Sequence, residues 1–406
     1  MPELPGALAD VRVISLGSFV AGNTFAMTLA ELGADVVKLE SRTRPDPVRA
    51  RFTAEQAEVR EPSGAETTTL FAGLSRSVRD MSVDMKAPGA TELFLRLAGA
   101  ADVIFENFGP RVLGSWGLTW ERLRQVNPRL VLVSLSGYGR TGPRASYLAY
   151  GGNISSYTGL TYLWGESHAT IYDYVAGTHA VVAALAALEQ RDRHGHGTYV
   201  DLAQVEVAGA ALAALMLDGL NGGEYVEPAG NCVAGAWLSG VFRCAGADEW
   251  VAVEVEDAAG WRSLCDIVSH SGARADLPPD SRERDEVKGL VQTWASGLSK
   301  WRVAKQLQEY GVAAAPVQHG EDVWRDPQLR SRGSIIEVGH PDLGRFEYPA
   351  PVHRMSRTPA TVRRPAPRLG QDTRDVLSRW LRVDDEAVSA LLATRLVATS
   401  DPAESP

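Results

Sequence analysis

One alternation near the start of the chain constrains the fold more than any other feature. Val11 to Leu16 reads as a short buried strand, and Gly17 and Ser18 break it. Gly22 to Leu32 then reads as a helix, with Phe25, Leu29 and Leu32 on one side. Gly33 closes that helix, and Val36 to Leu39 is a second strand. A strand, a helix and a strand in that order imply parallel pairing through a crossover, and a parallel sheet needs covering helices. The alternation continues. Pro88 to Ala98 reads as a helix whose proline lies in the first turn, where no hydrogen bond is lost. Val103 to Phe105 reads as a strand, Thr119 to Gln125 as a helix and Leu130 to Leu135 as a strand. The expectation is an α/β fold with a large, Rossmann-like, doubly wound domain.

A chain of 406 residues exceeds what one core usually serves. Gly177 to Arg191 reads as a helix that is apolar almost all round, a pattern found inside large proteins or at interfaces. The texture changes after Asn221-Gly-Gly. Val241 to Arg243 and Trp250 to Val255 read as paired strands across a Gly-Ala-Asp turn, followed by helices at Trp261 to Ser269 and Asp285 to Gly297. The expected division is a large domain at 1–224, a small α+β domain at 225–330, and a segment at 331–406 that returns to the large domain. Recurrent proline makes that last segment read as extended, with closing helices at Thr373 to Leu381 and Asp385 to Leu392 and a mobile last dozen residues.

Charge and cysteine usage narrow the function. The net charge is −9 and no Lys/Arg-rich block offsets it, which argues against a nucleic-acid partner. Three cysteines without a C-x-x-C pattern argue against a disulfide framework or a structural zinc site and fit a cytoplasmic setting. The first residues lack the basic start and apolar run of a signal peptide, and the longest apolar stretch, Ala180 to Leu188, is short of a membrane span. The first turn does not read as a dinucleotide loop. Gly17 and Gly22 stand five apart with Phe19 and Val20 between them, whereas a pyrophosphate needs the closer G-x-G-x-x-G spacing. His194-Gly-His196 lacks a third ligand nearby and reads as a solvated turn, so no metal is expected. Asp173 precedes the apolar helix and reads as its N-cap. A carboxylate there also faces the positive end of the helix dipole, which suits a nucleophile.

Several blocks, in order, carry a resemblance. They are Ala30-Glu-Leu-Gly-Ala-Asp-Val-Val-Lys-Leu-Glu40, Ser82-Val-Asp-Met-Lys86, Ala101-Asp-Val-Ile-Phe-Glu-Asn-Phe108, Ser136-Gly-Tyr-Gly-Arg-Thr-Gly-Pro143, Asp173-Tyr-Val-Ala-Gly177 and Gly311-Val-Ala-Ala-Ala-Pro-Val317. From about Leu8 to Leu392 the chain resembles the family III CoA-transferases, the group that includes formyl-CoA transferase, carnitine CoA-transferases and α-methylacyl-CoA racemase. The resemblance implies an interlocked homodimer and acyl-CoA as a substrate, with no permanently bound cofactor. It implies that Asp173 is the nucleophile. It implies CoA contacts from Phe19, Val20 and Ala21 at the first turn and from Asn107 and Phe108 at the third block, with Arg42 and Arg79 toward the phosphates. Tyr150, Gly151 and Gly152 are expected at the substrate pocket or an oxyanion loop, and Gly222-Gly223 is a second candidate loop. Where the racemases of the family carry a His-Asp pair, this chain has Tyr150-Gly151, so transfer between two acids leads over racemisation. A catalytically silent CoA-binding protein is the third reading.

Overall fold

The computed structural model describes residues 6–49, 68–164, 171–222, 230–233, 235–269, 278–341 and 344–401. Gly223 of the second candidate loop and the expected boundary at 224/225 lie outside them. The described residues form two compact units. One falls within Met1–Leu160, Ser167–Gly223 and Ser331–Pro406, the other within Thr161–Glu166 and Glu224–Arg330.

Twelve strands are present among the described residues. They are β1 Arg12–Ser15, β2 Asp35–Glu40, β3 Arg79–Val83, β4 Val103–Glu106, β5 Val131–Ser136, β6 Tyr199–Ala203, β7 Leu238–Arg243, β8 Trp250–Val255, β9 Ala313–Val317, β10 Ile335–His340, β11 Gly344–Pro349 and β12 Val397–Ala398. The first unit is built on a seven-stranded sheet of order β12-β3-β2-β1-β4-β5-β6. Its six long strands are parallel, and β12 closes the β3 edge antiparallel, with Val397 opposite Val83. The chain moves outward from β1 to β3, then crosses back to β4 beside β1. The order therefore reverses between β1 and β4, and a crevice opens at the carboxyl ends of those two strands.

Alternate strand residues serve two cores. Val13, Val36, Val103, Phe105, Val131 and Val133 lie under helices α1 (Phe19–Glu31) and, later in the chain, α5 (Ile171–His194). Ile14, Val37, Met81, Ile104 and Leu132 lie on the other face, with α2 (Ala90–Ala100), α3 (Trp120–Val126) and the helices Thr373–Leu381 and Asp385–Ala393. Two further helices border the site, α4 (Gly151–Tyr157) and α6 (Gln204–Ala211). The second unit has an antiparallel sheet of order β7-β8-β9. It is covered by helices Ala258–Ile267, Ser281–Ser296 and Lys300–Glu309 around a fully buried Trp261.

Three expectations change. The apolar helix starts at Ile171, so Asp173 lies in its first turn rather than before it. The segment from Ser331 is not merely extended: β10 and β11 pair as an antiparallel hairpin. The end of the chain is not wholly a mobile tail, because β12 pairs with β3.

Candidate active site

The turn after β1 forms one wall of the crevice, and its shape follows from close backbone packing. A Cβ on Gly22 would stand 2.7 Å from Gly17 Cα, and one on Gly17 would stand 2.8 Å from the Phe105 ring. The two glycines let the start of α1 press against the strand it follows. That is a packing role, and it explains why their spacing differs from a phosphate-binding loop. The turn leads into Phe19, which begins α1 with φ 58°, a left-handed conformation unusual for a bulky residue.

Buried polar contacts hold that conformation. The Lys38 ammonium donates to the Gly17 carbonyl, to Asn23 Oδ1 at 3.1 Å and to Asp46 Oδ2 at 2.8 Å. Asn23 Nδ2 donates to the Phe19 carbonyl at 2.7 Å, and the Phe19 amide donates to Asp46 Oδ1 at 3.1 Å. On the opposite side, the Asn107 side chain accepts from the Ser18 amide at 2.9 Å and donates to the Ser18 carbonyl at 2.8 Å. Lys38 and Asp46 side chains are each about 99% buried (1% exposed), so the pair is shielded from water. The neighbouring Glu40, at the end of β2, is also committed. Burial alone would raise its carboxyl, but the Arg49 and Lys38 charges hold it at about 2.

The crevice contains two cavities with shared walls. The larger has a volume of about 850 Å³. It is lined by Ser18, Phe19, Val20 and Ala21 after β1, by Asn107 and Phe108 after β4, and by Ser136 and Gly137 at the end of β5. Tyr150, Gly151 and Gly152 at the start of α4, Asp173 and Tyr174 in the first turn of α5, and Gln204 at the start of α6 also line it. The smaller cavity, about 500 Å³, shares Ser18, Phe19, Pro47 and Phe108 with the first. It extends under the carboxyl ends of β2 and β3, where Arg44 and Lys86 line it.

Among the described residues, Asp173 is the single carboxylate of the larger lining. Its Oδ1 accepts from Gln204 Nε2 at 2.7 Å. Burial pushes its carboxyl above the ordinary aspartate value, and the Gln204 hydrogen bond pulls the other way. Its height above the sheet is set by helix packing. Gly177, one turn further along α5, meets α1 so closely that a Cβ there would stand 2.7 Å from the Ala21 carbonyl oxygen. The β4 wall is equally anchored. Buried Glu106 accepts from the Phe108 amide at 2.9 Å and from Arg140, and burial raises its carboxyl against the Arg140 charge. Ser136 Oγ is buried and has no hydrogen-bond partner among the described residues.

Eight of the residues singled out from the sequence thus meet at one cavity besides Asp173: Phe19, Val20, Ala21, Asn107, Phe108, Tyr150, Gly151 and Gly152. Arg42 does not line either cavity. It is exposed in the Ser41–Arg44 turn, whose other residues border the smaller one. Arg79 is a correction. It is the first residue of β3, at the amino edge of the parallel sheet and opposite the crevice. Its guanidinium pairs with Asp35 at 3.2 Å and Asp375 at 2.7 Å. Gln204, Arg44 and Lys86 were not singled out for the site. Gln204 follows a strand, β6, whose alternating Tyr-Val-Asp-Leu-Ala pattern gave no strong signal.

The profile of the family described as CoA-transferase family III matches residues 8–373. A succinyl-CoA–D-citramalate CoA-transferase from Chloroflexus aurantiacus is 29% identical over 97% of this chain and 98% of its own. A succinate–glutarate CoA-transferase from Agrobacterium fabrum is 30% identical over 95% of this chain and 99% of its own. Among solved structures, a CaiB/BaiF family protein from Brucella suis covers 93% of this chain and 100% of its own with a TM-score of 0.83, at 24% identity, which speaks to the fold.

Proposed function

The chain belongs to CoA-transferase family III, and on that premise we propose that it moves CoA from an acyl-CoA donor to a carboxylic acid acceptor through a covalent thioester on Asp173. The observation that carries the reading is the position of Asp173. It is a half-buried carboxylate in the first turn of a long helix, facing a cavity at the sheet's switch point.

In the first step Asp173 attacks the donor thioester carbonyl, forming a mixed anhydride and releasing the CoA thiolate. The thiolate then attacks the aspartyl carbonyl. The aspartyl thioester forms and the donor acid leaves as its carboxylate. The acceptor carboxylate attacks that thioester, expels the thiolate and makes a second anhydride. The thiolate finally attacks the acceptor acyl carbonyl, giving the new acyl-CoA and free Asp173. Splitting one exchange into covalent steps lowers each barrier. Partial burial favours the chemistry twice. It keeps water from the anhydrides and makes the carboxylate a less solvated nucleophile.

CoA is proposed to lie along the Phe19–Ala21 turn and the Asn107–Phe108 wall, with its thiol in the larger cavity. First-turn amides of a helix lack intrahelical partners and attract negative charge, which supports an anionic group near Val20 and Ala21. Arg44 and Lys86, with Arg42 on the adjoining turn, make the smaller cavity the better-suited home for phosphates. Tyr150–Gly152 are proposed to border the acid, in a lining that carries no histidine for a two-base proton exchange among the described residues. The names of the relatives make succinyl-CoA the first donor to try. A second copy of the chain is proposed to cover the exposed Val182 on α5 and the exposed Met216, Leu217 and Leu220, apolar groups that water solvates poorly.

The test is a mass-spectrometric screen of acyl-CoA donors against carboxylic acids, run in deuterated water, with Asp173→Ala as the control. Transfer in the native protein, none in the variant, and no α-deuteration is expected. Deuterium uptake without an acceptor acid would favour isomerisation, and turnover by Asp173→Ala would end the aspartyl reading.

A further inference from the structure

We propose that Gln204 is a second catalytic residue, an oxyanion donor to the carbonyl of the aspartyl intermediate. The proposal rests on the aspartyl route above. Gln204 Nε2 donates to Asp173 Oδ1 at 2.7 Å, and among the described residues it is the one side chain hydrogen-bonded to Asp173. The bond leaves Oδ2 to attack the donor thioester. Once Oδ2 is acylated, Oδ1 is the aspartyl carbonyl oxygen, already at hydrogen-bond distance from an amide donor.

Every later attack on Asp173 places charge on that same atom. When the CoA thiolate adds to the aspartyl Cγ, the S–C bond forms and the carbonyl electron pair moves onto Oδ1. The pair returns as the Cγ–Oδ2 bond breaks, and the donor acid departs with Oδ2. When the acceptor carboxylate adds to the thioester, the pair again moves to Oδ1 and returns as the C–S bond breaks. An amide N–H cannot lose its proton to Oδ1 at neutral pH, so it stabilises the oxyanion without quenching it. Donors of this kind are effective when they stand 2.7–3.1 Å from the developing oxyanion and are fixed beforehand.

The donor is fixed by the fold. Gln204 is the first residue of α6, directly after Ala203, which pairs with Ser136 on β5. Its side chain is nearly buried, at 7% exposure, and it lines the same cavity as Asp173. The two helix starts that carry donor and acceptor therefore hang from one sheet edge and one helix packing, not from loops.

Gln204→Met keeps the side-chain length and removes the donor. Its kcat is expected to fall by about 10²–10³-fold, with KM for acyl-CoA changed less than about threefold. The adduct on Asp173 still forms, but both its formation and its discharge slow in single-turnover mass spectrometry. Isotope-edited infrared spectra of the trapped adduct should show the aspartyl carbonyl stretch moving to higher wavenumber. Gln204→Asn, which withdraws the donor by one methylene, is expected to lose an intermediate amount and serves if the Met variant does not fold. A Gln204→Met protein with near-native kcat, while Asp173→Ala is inert, overturns this inference and leaves the aspartyl route standing. A slow variant whose carbonyl stretch does not move overturns it too, because Gln204 then only positions Asp173. Turnover by Asp173→Ala removes both.

Discussion

Gly177→Ala separates catalytic geometry from stability. The added Cβ would stand 2.7 Å from the Ala21 carbonyl oxygen and 2.9 Å from Thr24 Cβ, where ordinary contact begins at 3.4 Å. The Ala21 oxygen is backbone, so α1 and α5 must part by about 0.7 Å (3.4 − 2.7). Overpacking of this size costs about 1–3 kcal/mol, while replacing glycine by alanine inside a helix returns about 1 kcal/mol. The net loss is about 0–2 kcal/mol, a fall in melting temperature of at most roughly 8 °C. Activity should fall much further. Asp173 lies one turn before Gly177, and Ala21 belongs to the turn that faces it, so the shift goes directly into the distance between nucleophile and thioester. Misplacement near 1 Å costs about 10²-fold in rate, so a loss of roughly 10–100-fold in kcat is expected. The assay pairs thermal unfolding with kcat for CoA transfer, each product acyl-CoA quantified by mass spectrometry. A variant that melts lower yet keeps kcat within about twofold would refute the argument that the α1–α5 contact sets the site.

Arg79→Ala should leave KM for acyl-CoA within about twofold of native, because Arg79 is paired at the far edge of the sheet, whereas Lys86→Ala should raise it; equal effects in steady-state kinetics would reverse the correction to Arg79. Lys38→Met should cost about 3–5 kcal/mol by leaving the buried Asp46 carboxylate without its cation, and adding Asp46→Asn should recover part of it, as denaturant unfolding would show. The reactive form of Asp173 is the carboxylate, and burial raises its folded pKa from 3.8. The acid limb of kcat/KM should therefore lie above the ordinary aspartate range, and a limb at or below it in a pH–rate profile would contradict the burial. The same raised value means the folded state loses stability as pH climbs through it, so Asp173→Asn should melt higher than native at neutral pH while being inactive.

Much of this architecture was legible because parallel strands are buried on both faces and show as apolar runs. Val103 to Phe105 and Leu130 to Leu135 are of that kind; β4 extends the first by one residue, and β5 is the second shifted by one. Strand β3 was not legible. β3 carries Asp80, whose partners Arg49 and the Gly370 amide lie far along the chain, so Arg-Asp-Met-Ser-Val looked polar. The site divided in the same way. Phe19–Ala21, Asn107–Phe108 and Asp173 could be placed because they sit at strand ends within ordered family blocks. Arg79 was misplaced because basic character says nothing about which end of a strand a side chain occupies, or that Asp375 will neutralise it from 296 residues away. Gln204 was missed because a lone amide after a strand has no pattern until the fold sets it against Asp173.

The central claim is that Asp173 becomes covalently attached to CoA. The most direct measurement is peptide-resolved mass spectrometry of the enzyme, quenched in acid during turnover with a donor acyl-CoA that supports transfer. A CoA thioester confined to the peptide containing Asp173, released by acceptor acid or hydroxylamine, is the expected result. Turnover with no adduct, or an adduct on another residue that persists in Asp173→Ala, would contradict it.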